Sequence, residues 1–264
     1  MRHADSPQGR ARRRWRWTPR PILVEHDIAV SDLHPAHHGL RVAHLSDVHA
    51  GRFTPIDHIQ AAVSLAVGAG ADIIALTGDY VSWDRWEVAA MTRALAGLPK
   101  GRVFCVLGNH DYFASAGAVE RGLRGLGYAV LKNRHVTHAV GGAAIHIIGI
   151  DDPVTRHHDL EAAFAGVPDG GTRLVLSHCP TQADALAARG AHLILSGHTH
   201  GGQIFVRGIT DRALARAGYR YISGHYPVSG SALYVTSGVG FSGVRFRAGP
   251  GTRAEVAVLT LRPA

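Results

Sequence analysis

Residues 41–79 decide the fold, and they read RVAHLSDVHAGRFTPIDHIQAAVSLAVGAGADIIALTGD. Two apolar runs, Leu40–Leu45 and Ile73–Thr77, have the length of buried strands, and a helix-like window, Pro55–Val67, lies between them. Proline suits the first turn of a helix, because its missing N–H would be unpaired there. Strand, helix and strand in this order predict one βαβ step of a parallel sheet.

The same alternation continues outward from this unit. Further strands are expected at Ile22–Val30, Val103–Leu107, Ala129–Lys132, Ala144–Ile150, Leu174–Ser177, Leu193–Ser196, Ala232–Thr236 and Val256–Leu261. Further helices are expected at Trp86–Ala96, Ala116–Leu126, Leu160–Ala165 and Thr181–Ala188. The second half has more strands and fewer helices, so it predicts a second, more mixed sheet packed on the first. We expect an α/β fold in a single domain.

The composition is that of a folded chain of 264 residues, with 46% hydrophobic and 18% charged residues. Two cysteines are too few for a disulfide framework, which favours a reducing compartment or indifference to redox conditions. No apolar run reaches the roughly 18 to 20 residues of a membrane span. The sequence therefore argues against an integral membrane protein and favours a cytoplasmic location.

The net charge of +8 is concentrated at the start of the chain. Residues 1–20 hold seven arginines and one acidic residue, whereas the rest of the chain carries 21 basic and 19 acidic side chains. Residues 1–21 show no apolar period, so we expect a disordered basic Arg/Trp tail, followed by a domain over residues 22–264. The nearly balanced body argues against a specific nucleic-acid partner.

Within that tail, residues 10–17 read RARRRWRW. Arginine is attracted to anionic lipid, and tryptophan prefers the headgroup interface of a bilayer. We therefore expect this stretch to attach the protein peripherally to the inner face of the cell membrane. A solvated or untranslated leader is the alternative, and the sequence leaves both open.

Polar clusters follow five of the predicted strands. They are Ser46-Asp47-Val48-His49, Gly78-Asp79, Gly108-Asn109-His110-Asp111, His178 and Gly197-His198-Thr199-His200. In open α/β sheets, ligands bind beyond the carboxyl ends of the strands. The five clusters are therefore expected to converge on one crevice.

The clusters differ in how often they are expected to occur by chance. The chain holds 19 His but only two Asn, so Gly-Asn-His-Asp is expected by chance on the order of once in a thousand such chains. Asp-x-His is expected about once per chain, and Ser31-Asp32-Leu33-His34 is indeed a copy of the first cluster. The separation of Asp47 from Asp79 fits one βαβ step, which favours the second copy as the functional one.

The residue types in the clusters indicate a metal site. Carboxylate, imidazole and amide groups together suit Mn, Fe or Zn ions. Asp47 and His49 stand two residues apart, and side chains two apart at a strand end point the same way. Asp79 is placed to bridge two ions about 3.5–4 Å apart, which activate a water and neutralise phosphate oxygens. Asn109 adds a neutral oxygen, so the cluster keeps a positive charge toward an anionic substrate.

In this order the clusters resemble the calcineurin-like metallophosphoesterase superfamily, over nearly all of Ile22–Leu261. The resemblance implies a four-layer α/β/β/α sandwich of two mixed sheets with two divalent metal ions, manganese first and iron or zinc as alternatives. It implies a first metal held by Asp47, His49, Asp79 and His200. It implies a second metal held by Asp79, Asn109, His178 and His198. It also implies that His110 lies near the leaving-group oxygen, as the catalytic acid.

Longer stretches resemble one bacterial, membrane-associated branch of that superfamily. They are Gly197–Gln203, Gly149–Pro153 and Thr236–Ser242. The branch includes phosphodiesterases and enzymes that hydrolyse UDP-2,3-diacylglucosamine, and its members usually begin with a transmembrane helix or an export signal. Protein Ser/Thr phosphatases continue the Gly-Asp motif with Asp-Arg-Gly, whereas this chain reads Gly78-Asp79-Tyr80-Val81, which argues against that class.

These features predict a two-metal phosphoesterase that hydrolyses a phosphodiester or pyrophosphate bond in a lipid or a lipid-linked nucleotide. Arg52, Phe53 and Tyr112 follow the metal motifs and are candidate substrate-binding residues. Aromatic side chains beside a charged site suit an apolar substrate, and a rim of aromatics packed on one another is the alternative. The rival functions are a nuclease or cyclic-nucleotide phosphodiesterase of the same superfamily, and a non-catalytic scaffold. The oligomeric state stays open.

Overall fold

The computed structural model describes residues 20–264, which form two six-stranded sheets flanked by helices. The strands are β1 (Ile22–Val30), β2 (Arg41–Leu45), β3 (Ile73–Leu76), β4 (Val103–Cys105), β5 (Ala129–Val130), β6 (Arg134–Val140), β7 (Ala143–Ile150), β8 (Thr172–Ser177), β9 (Leu193–Ser196), β10 (Gly224–Val228), β11 (Ser231–Val235) and β12 (Glu255–Pro263). The helices are α1 (Ile56–Gly68), α2 (Val88–Leu95), α3 (Asn109–Ala114), α4 (Ala116–Gly125), α5 (Leu160–Phe164), α6 (Ala183–Ala187) and α7 (Thr210–Arg216). Every strand and helix expected from the sequence is present, with its ends shifted by one or two residues at most.

In both sheets the carboxyl ends of the parallel strands lie on the same side of the molecule. The first sheet has the order β1-β12-β2-β3-β4-β5, and β2 to β5 run parallel. The second has the order β10-β11-β9-β8-β7-β6, and β7, β8, β9 and β11 run parallel. Because β12 is antiparallel to β2 and β1 is parallel to β12, both begin where β2, β3 and β4 end. We call this side of the molecule the carboxyl edge.

Alternation along the strands builds the layers. In β2, Val42 faces the layer between the sheets, whereas Ala43 faces the helices outside. Ile147 and Leu176 of the second sheet complete the inner layer. Helices α1, α2 and α4 cover the first sheet, and α5 and α6 cover the second. The expected four-layer α/β/β/α sandwich is thereby confirmed.

Two strands and two helices escape prediction from the sequence. Strand β6 is a half-exposed edge strand that carries His135 and His138, so it lacks an apolar run. Strand β10 lies at the other edge of the same sheet and contains Pro227, which edge strands tolerate. Helix α3 begins at Asn109, inside a polar motif that reads as a loop, and α7 has no buried residue.

The predicted tail, residues 1–21, lies outside the described residues except for Arg20 and Pro21. Its disorder and the membrane attachment through residues 10–17 therefore stay predictions. Residues 20–264 contain no helix with the length and apolar character needed to span a bilayer.

Candidate metal centre

The predicted ligands lie in turns with left-handed backbone, beyond the ends of the strands. Ten non-glycine residues of the described chain have a positive φ, and five of them are predicted ligands. These are Asp47 (52°), His49 (45°), Asp79 (54°), His198 (70°) and His200 (52°). Strand β2 already ends at Leu45, so Asp47 and His49 lie beyond it. The sequence analysis explained their shared direction by strand alternation, and that explanation is wrong.

Hydrogen bonds between neighbouring strand ends hold these turns. The backbone N–H of Asp47 donates to the carbonyl oxygen of Gly78 (2.9 Å), and that of His49 donates to the carbonyl oxygen of Asp79 (2.9 Å). The turn after β2 and the turn after β3 therefore fix each other. Positive φ outside glycine is sparsely populated and persists only where the surroundings over-determine it.

Asp111, the last residue of the Gly-Asn-His-Asp motif, is a positioning residue that the sequence analysis did not single out. Its buried carboxylate accepts hydrogen bonds from the backbone N–H groups of Gly108 (2.9 Å), Asp79 (3.0 Å) and Tyr80 (2.8 Å). A Cβ at Gly108 would collide with the carboxylate of Asp79. Only glycine therefore lets the turn after β4 approach the turn after β3 so closely.

A first cluster joins Asp47, His49 and His200, all of them buried. Their ligand-forming atoms lie within 4.8 Å of one another. Nε2 of His49 faces Nε2 of His200 across 3.1 Å, and Nε2 of His200 lies 3.3 Å from Oδ1 of Asp47. The first two residues come from the first sheet and the third from the second sheet, so this cluster spans the two sheets.

A second cluster joins Asp79, His178 and His198. Nε2 of His178 lies 3.2 Å from Oδ2 of Asp79, 3.1 Å from Nδ1 of His198 and 3.2 Å from Oδ1 of Asn109. Nδ1 of His178 lies 2.7 Å from the carbonyl oxygen of Thr77, which orients the ring. All four predicted ligands of the second metal therefore converge on one point.

Asp79 lies between the two clusters. Its Oδ2 is 3.6 Å from Nε2 of His49 and 3.2 Å from Nε2 of His178. A third grouping, of His49, Asp79 and His110, shows that His110 also reaches the centre. By contrast, Asp32 and His34 of the copied motif follow β1, at the opposite edge of the first sheet, and belong to none of the three groupings.

His110 is held by its surroundings with one nitrogen available to the centre. Its Nδ1 lies 2.5 Å from the carbonyl oxygen of Ser82, so Nδ1–H donates this bond. The ring of Trp83 lies 4.5 Å from the His110 ring, and the ring of Phe113 lies 5.5 Å away. Nε2 is therefore the nitrogen of His110 that remains for the centre.

Three of the four histidines predicted as ligands have the protonation state that metal binding requires. Burial lowers the pKa of His49 to about 3 and that of His198 to about 4, and it lowers the pKa of His200 well below the usual value. These three rings are neutral at pH 7, as a metal ligand must be. For His178 burial acts in the same direction, but the carboxylates of Asp79 and Asp47 raise its pKa well above the usual value.

The buried carboxylates need a positive charge. Asp47 and Asp79 are at most 1% exposed, and the ion-pair partners that residues 20–264 offer them are histidines. Burial raises the pKa of Asp47 to about 6, because removal from water disfavours the charged form. Burial alone would also raise the pKa of Asp79, but His178, His49 and His110 lower it well below its usual range. Divalent cations fit this set of carboxylate, imidazole and amide donors.

Arg247 supports the centre from behind and was not found by sequence reasoning. This buried guanidinium donates to the carbonyl oxygens of Ser237 (2.6 Å) and Thr252 (2.9 Å), and its Nη2 lies 3.1 Å from Nδ1 of His200. The guanidinium thereby joins the segments around residues 237 and 252 beside the His200 ring, whose Nε2 faces the first cluster.

Tyr219 supports the second cluster in a similar way. Its hydroxyl oxygen lies 2.8 Å from Nε2 of His198, on the side of the ring away from His178. Neither Arg247 nor Tyr219 belongs to a motif, and each lies about twenty or more residues from the histidine it contacts. No local sequence pattern announces them.

The three candidate substrate-binding residues lie in the segments that follow β2 and β4. Arg52 is exposed, and its guanidinium lies 5.9 Å from the ring centroid of Phe53. Tyr112 donates its hydroxyl hydrogen to Oδ2 of Asp151 (2.6 Å) and stacks on His157 with the ring centroids 4.0 Å apart. The role of all three in substrate binding stays a prediction.

The comparison with protein families identifies the class. The family described as calcineurin-like phosphoesterase matches residues 40–202, which is more than half of the chain and includes all seven predicted ligands. This chain belongs to that family. Membership and the buried donor clusters make it a metal-dependent phosphoesterase.

Individual relatives agree with this family. An uncharacterized metallophosphoesterase of Bacillus subtilis, YkoQ, is 32% identical over 234 residues, which are 84% of this chain and 83% of that protein. The phosphodiesterase YaeI of Escherichia coli is 29% identical over 228 residues, 84% of this chain and 82% of that protein. A transmembrane protein with metallophosphoesterase domain from Danio rerio is 30% identical over 260 residues, 92% of this chain and 58% of that protein.

Proposed function

We propose that this protein is a two-metal phosphodiesterase that hydrolyses a phosphodiester or pyrophosphate bond in a lipid or lipid-linked nucleotide. The position of Asp79 carries the two-metal part of the proposal. Its Oδ2 lies 3.6 Å from a ring nitrogen of the first cluster and 3.2 Å from one of the second. One carboxylate shared between two buried ligand sets is what a bridged pair of ions requires.

The residues divide into two ligand sets and one acid. Asp47, His49 and His200, with Asp79, would hold one ion, and Asn109, His178 and His198, with Asp79, would hold the other. Two divalent ions lower the pKa of a water and offset the charge of phosphate oxygens, with manganese as our first choice and iron or zinc as alternatives. The two carboxylates leave the loaded centre positively charged, which attracts an anionic phosphoester.

His110 is the proposed general acid. The Ser82 carbonyl fixes its Nδ1, so a protonated Nε2 can deliver its proton to the oxygen of the departing alcohol. Proton transfer by a positioned side chain contributes roughly 10²–10⁴-fold in rate. His49 lies beneath the His110 ring, with the ring centroids 4.8 Å apart, so the acid lies next to the first cluster.

The surroundings of His110 support an apolar substrate. Trp83 and Phe113 are 59% and 52% exposed and stack on each other at 5.9 Å, and both contact the His110 ring. This pair packs together and presents an apolar surface, so it fits both the rim of packed aromatics and the apolar wall. Tyr80, an aromatic that also follows a metal motif, is buried in the core and contributes to neither. The printed name of YaeI, a phosphodiesterase, supports the reaction class.

A nuclease or cyclic-nucleotide phosphodiesterase of the same superfamily is the second candidate, but residues 21–264 carry a net charge of only +2. We place the enzyme on the cytoplasmic side, and we propose that residues 10–17 contact an anionic membrane surface. The relatives named as transmembrane proteins support a membrane setting.

The function is tested with the purified full chain, stripped by a chelator and reloaded with Mn²⁺. We expect hydrolysis of bis-nitrophenyl phosphate and of a lipid pyrophosphate, with slower hydrolysis of nitrophenyl phosphate. His49→Ala should abolish metal-dependent activity, whereas the matched change His34→Ala, in the copied motif, should leave it intact. Equal loss in both variants, or no activity after reloading with Mn²⁺, Fe²⁺ or Zn²⁺ in turn, would contradict the proposal.

A further inference from the structure

Exposed apolar side chains are concentrated at the carboxyl edge. Five of them form one group, which we call the apolar rim: Ile204, Val206, Ile209, Val244 and Phe246, between 46% and 68% exposed. Trp83, Trp86 and Phe113 form a second group at the same edge, between 52% and 72% exposed. Only two other large hydrophobic side chains in residues 20–264, Val67 and Val154, are similarly exposed. Exposed apolar groups of this extent mark an interaction surface.

Backbone pairing makes the apolar rim one structural unit. The backbone N–H of Phe205 donates to the carbonyl oxygen of Ala248 (2.7 Å), and that of Ala248 donates to the carbonyl oxygen of Gln203 (2.9 Å). The N–H of Ile209 donates to the carbonyl oxygen of Val206 (3.0 Å), which leads the chain into α7. The two segments of the apolar rim, 204–209 and 244–246, therefore stand side by side.

The apolar rim is attached to the metal centre at both ends. Its first segment follows His200 closely in the chain. The chain then returns to the metal centre at Tyr219, whose hydroxyl contacts His198. Its second segment is anchored by Arg247, and the side chain of Arg245 donates to the carbonyl oxygen of Arg52. The segments that carry the apolar rim are thus continuous with residues that contact the ligand histidines.

The charge of this surface is one-sided. Exposed arginines surround the apolar rim, and residues 204–246 oppose them with the single acidic residue Asp211. The arginines are Arg207, Arg212, Arg216 and Arg245, whereas Arg220 pairs with Asp184 (3.7 Å). The rest of the described chain is close to balanced. Apolar side chains between arginines fit a layer that is negative at its surface and apolar beneath it, and they fit an uncharged protein partner poorly.

The start of the described chain lies at the same edge. Ile22 pairs with Glu255, and its N–H donates to the carbonyl oxygen of Ala254 (3.0 Å), beside the turn that follows β11. Residues 10–17, with five arginines and two tryptophans, precede this point by only a few residues. Both positively charged parts of the molecule therefore start from the carboxyl edge.

We propose that the carboxyl edge docks on an anionic phospholipid bilayer, with the apolar rim inserted among the headgroups and its arginines against the lipid phosphates. The docked orientation turns the metal centre toward the membrane. The proposal rests on the proposed function only for the substrate that the centre would meet there, because the docking itself requires no hydrolysis.

Co-sedimentation of the full chain with vesicles tests the proposal. The probes are vesicles of phosphatidylcholine alone and vesicles that also contain phosphatidylglycerol. The double change Ile209→Ser with Phe246→Ser should weaken binding to the anionic vesicles about tenfold or more, because two apolar side chains no longer insert. Val67→Ser is the matched control: this side chain is 46% exposed at the end of α1, on the opposite edge, and its loss should change nothing.

The charge component is tested separately. Arg212→Gln with Arg216→Gln should weaken binding to anionic vesicles roughly 30-fold and leave binding to neutral vesicles unchanged, since each arginine near an anionic surface adds about 1 kcal/mol. Arg93→Gln, on an exposed face of α2, serves as the control. Activity of each variant on bis-nitrophenyl phosphate without vesicles shows that the fold and the centre are intact.

Two results would overturn the docking proposal. If the protein with Ile209→Ser and Phe246→Ser sediments like the parent, any membrane binding comes from another part of the chain. If the parent is a dimer in solution that these substitutions dissociate, a second copy covers the surface. If the vesicle-binding results are as expected but the parent hydrolyses none of the phosphoesters, only the proposed function is contradicted.

Discussion

The two sheets contribute to the metal centre in different ways. The first sheet supplies both carboxylates, the amide and one imidazole, each within four residues of a strand end. The turns that carry them bind one another through the backbone and through Asp111. The second sheet supplies three imidazoles, and two of these are oriented by residues far along the chain, Arg247 and Tyr219.

This difference separates a half of the site that is supported by its own motifs from a half that is supported by residues outside any motif. In the first sheet each motif is held by a neighbouring motif of the same sheet. In the second sheet the ligand is in the motif, but its support arrives with the segments around the apolar rim. We therefore expect substitution of a predicted ligand in the first sheet to remove ions, and substitution of a residue that supports the second sheet to weaken metal affinity.

The largest effect is expected for Asp79→Asn. Both ions lose a charged ligand, and Lewis-acid assistance by each ion is worth several kcal/mol, so activity should fall on the order of 10⁴-fold or more. Metal analysis should show a greater loss than in His49→Ala or His178→Ala, which each touch one cluster. Asp32→Asn is the control. Near-full metal content in Asp79→Asn would contradict the bridging role and remove the asymmetry between the sheets.

The next effect separates binding from chemistry within the first sheet. His110→Ala should retain its metals and lose roughly 10²–10⁴ in rate on a substrate whose alcohol needs a proton to leave. The loss should shrink with a nitrophenyl ester, because nitrophenolate leaves without a proton. Rate measurements on both substrates, with metal content determined in parallel, check this. Equal losses on the two substrates would assign His110 a positioning role.

The smallest effect tests the support of the second sheet. Arg247→Gln removes the guanidinium that joins the carbonyl oxygens of Ser237 and Thr252 beside the His200 ring, and loss of such an outer support of a metal-binding histidine typically weakens metal affinity 10–100-fold. Competition with a chelator measures the affinity, and excess metal should restore most of the activity. Arg253→Gln, an exposed neighbour, is the control. If Arg247→Gln binds metal like the parent, the two halves of the site are supported alike.

The sequence predicts the sandwich because the buried strands are nearly continuous apolar runs. It predicts where the donor groups converge because Asp47, Asp79, Asn109, His178 and His198 directly follow those runs. It does not reveal β6 or β10, since an edge strand needs no apolar run. It does not reveal Arg247 either, because a long-range contact leaves no period or spacing in the chain.

The left-handed turns have a consequence for the lifetime of the protein in the cell. Five of the predicted ligands hold a backbone conformation that costs about 1 kcal/mol or more each. The metal-free chain therefore keeps a smaller margin against unfolding, and ions that bind only the folded form restore it by mass action. Proteases remove transiently unfolded chains, so metal starvation should shorten the half-life of this protein. The cell would then degrade the enzyme when it lacks the metal ions that the enzyme needs.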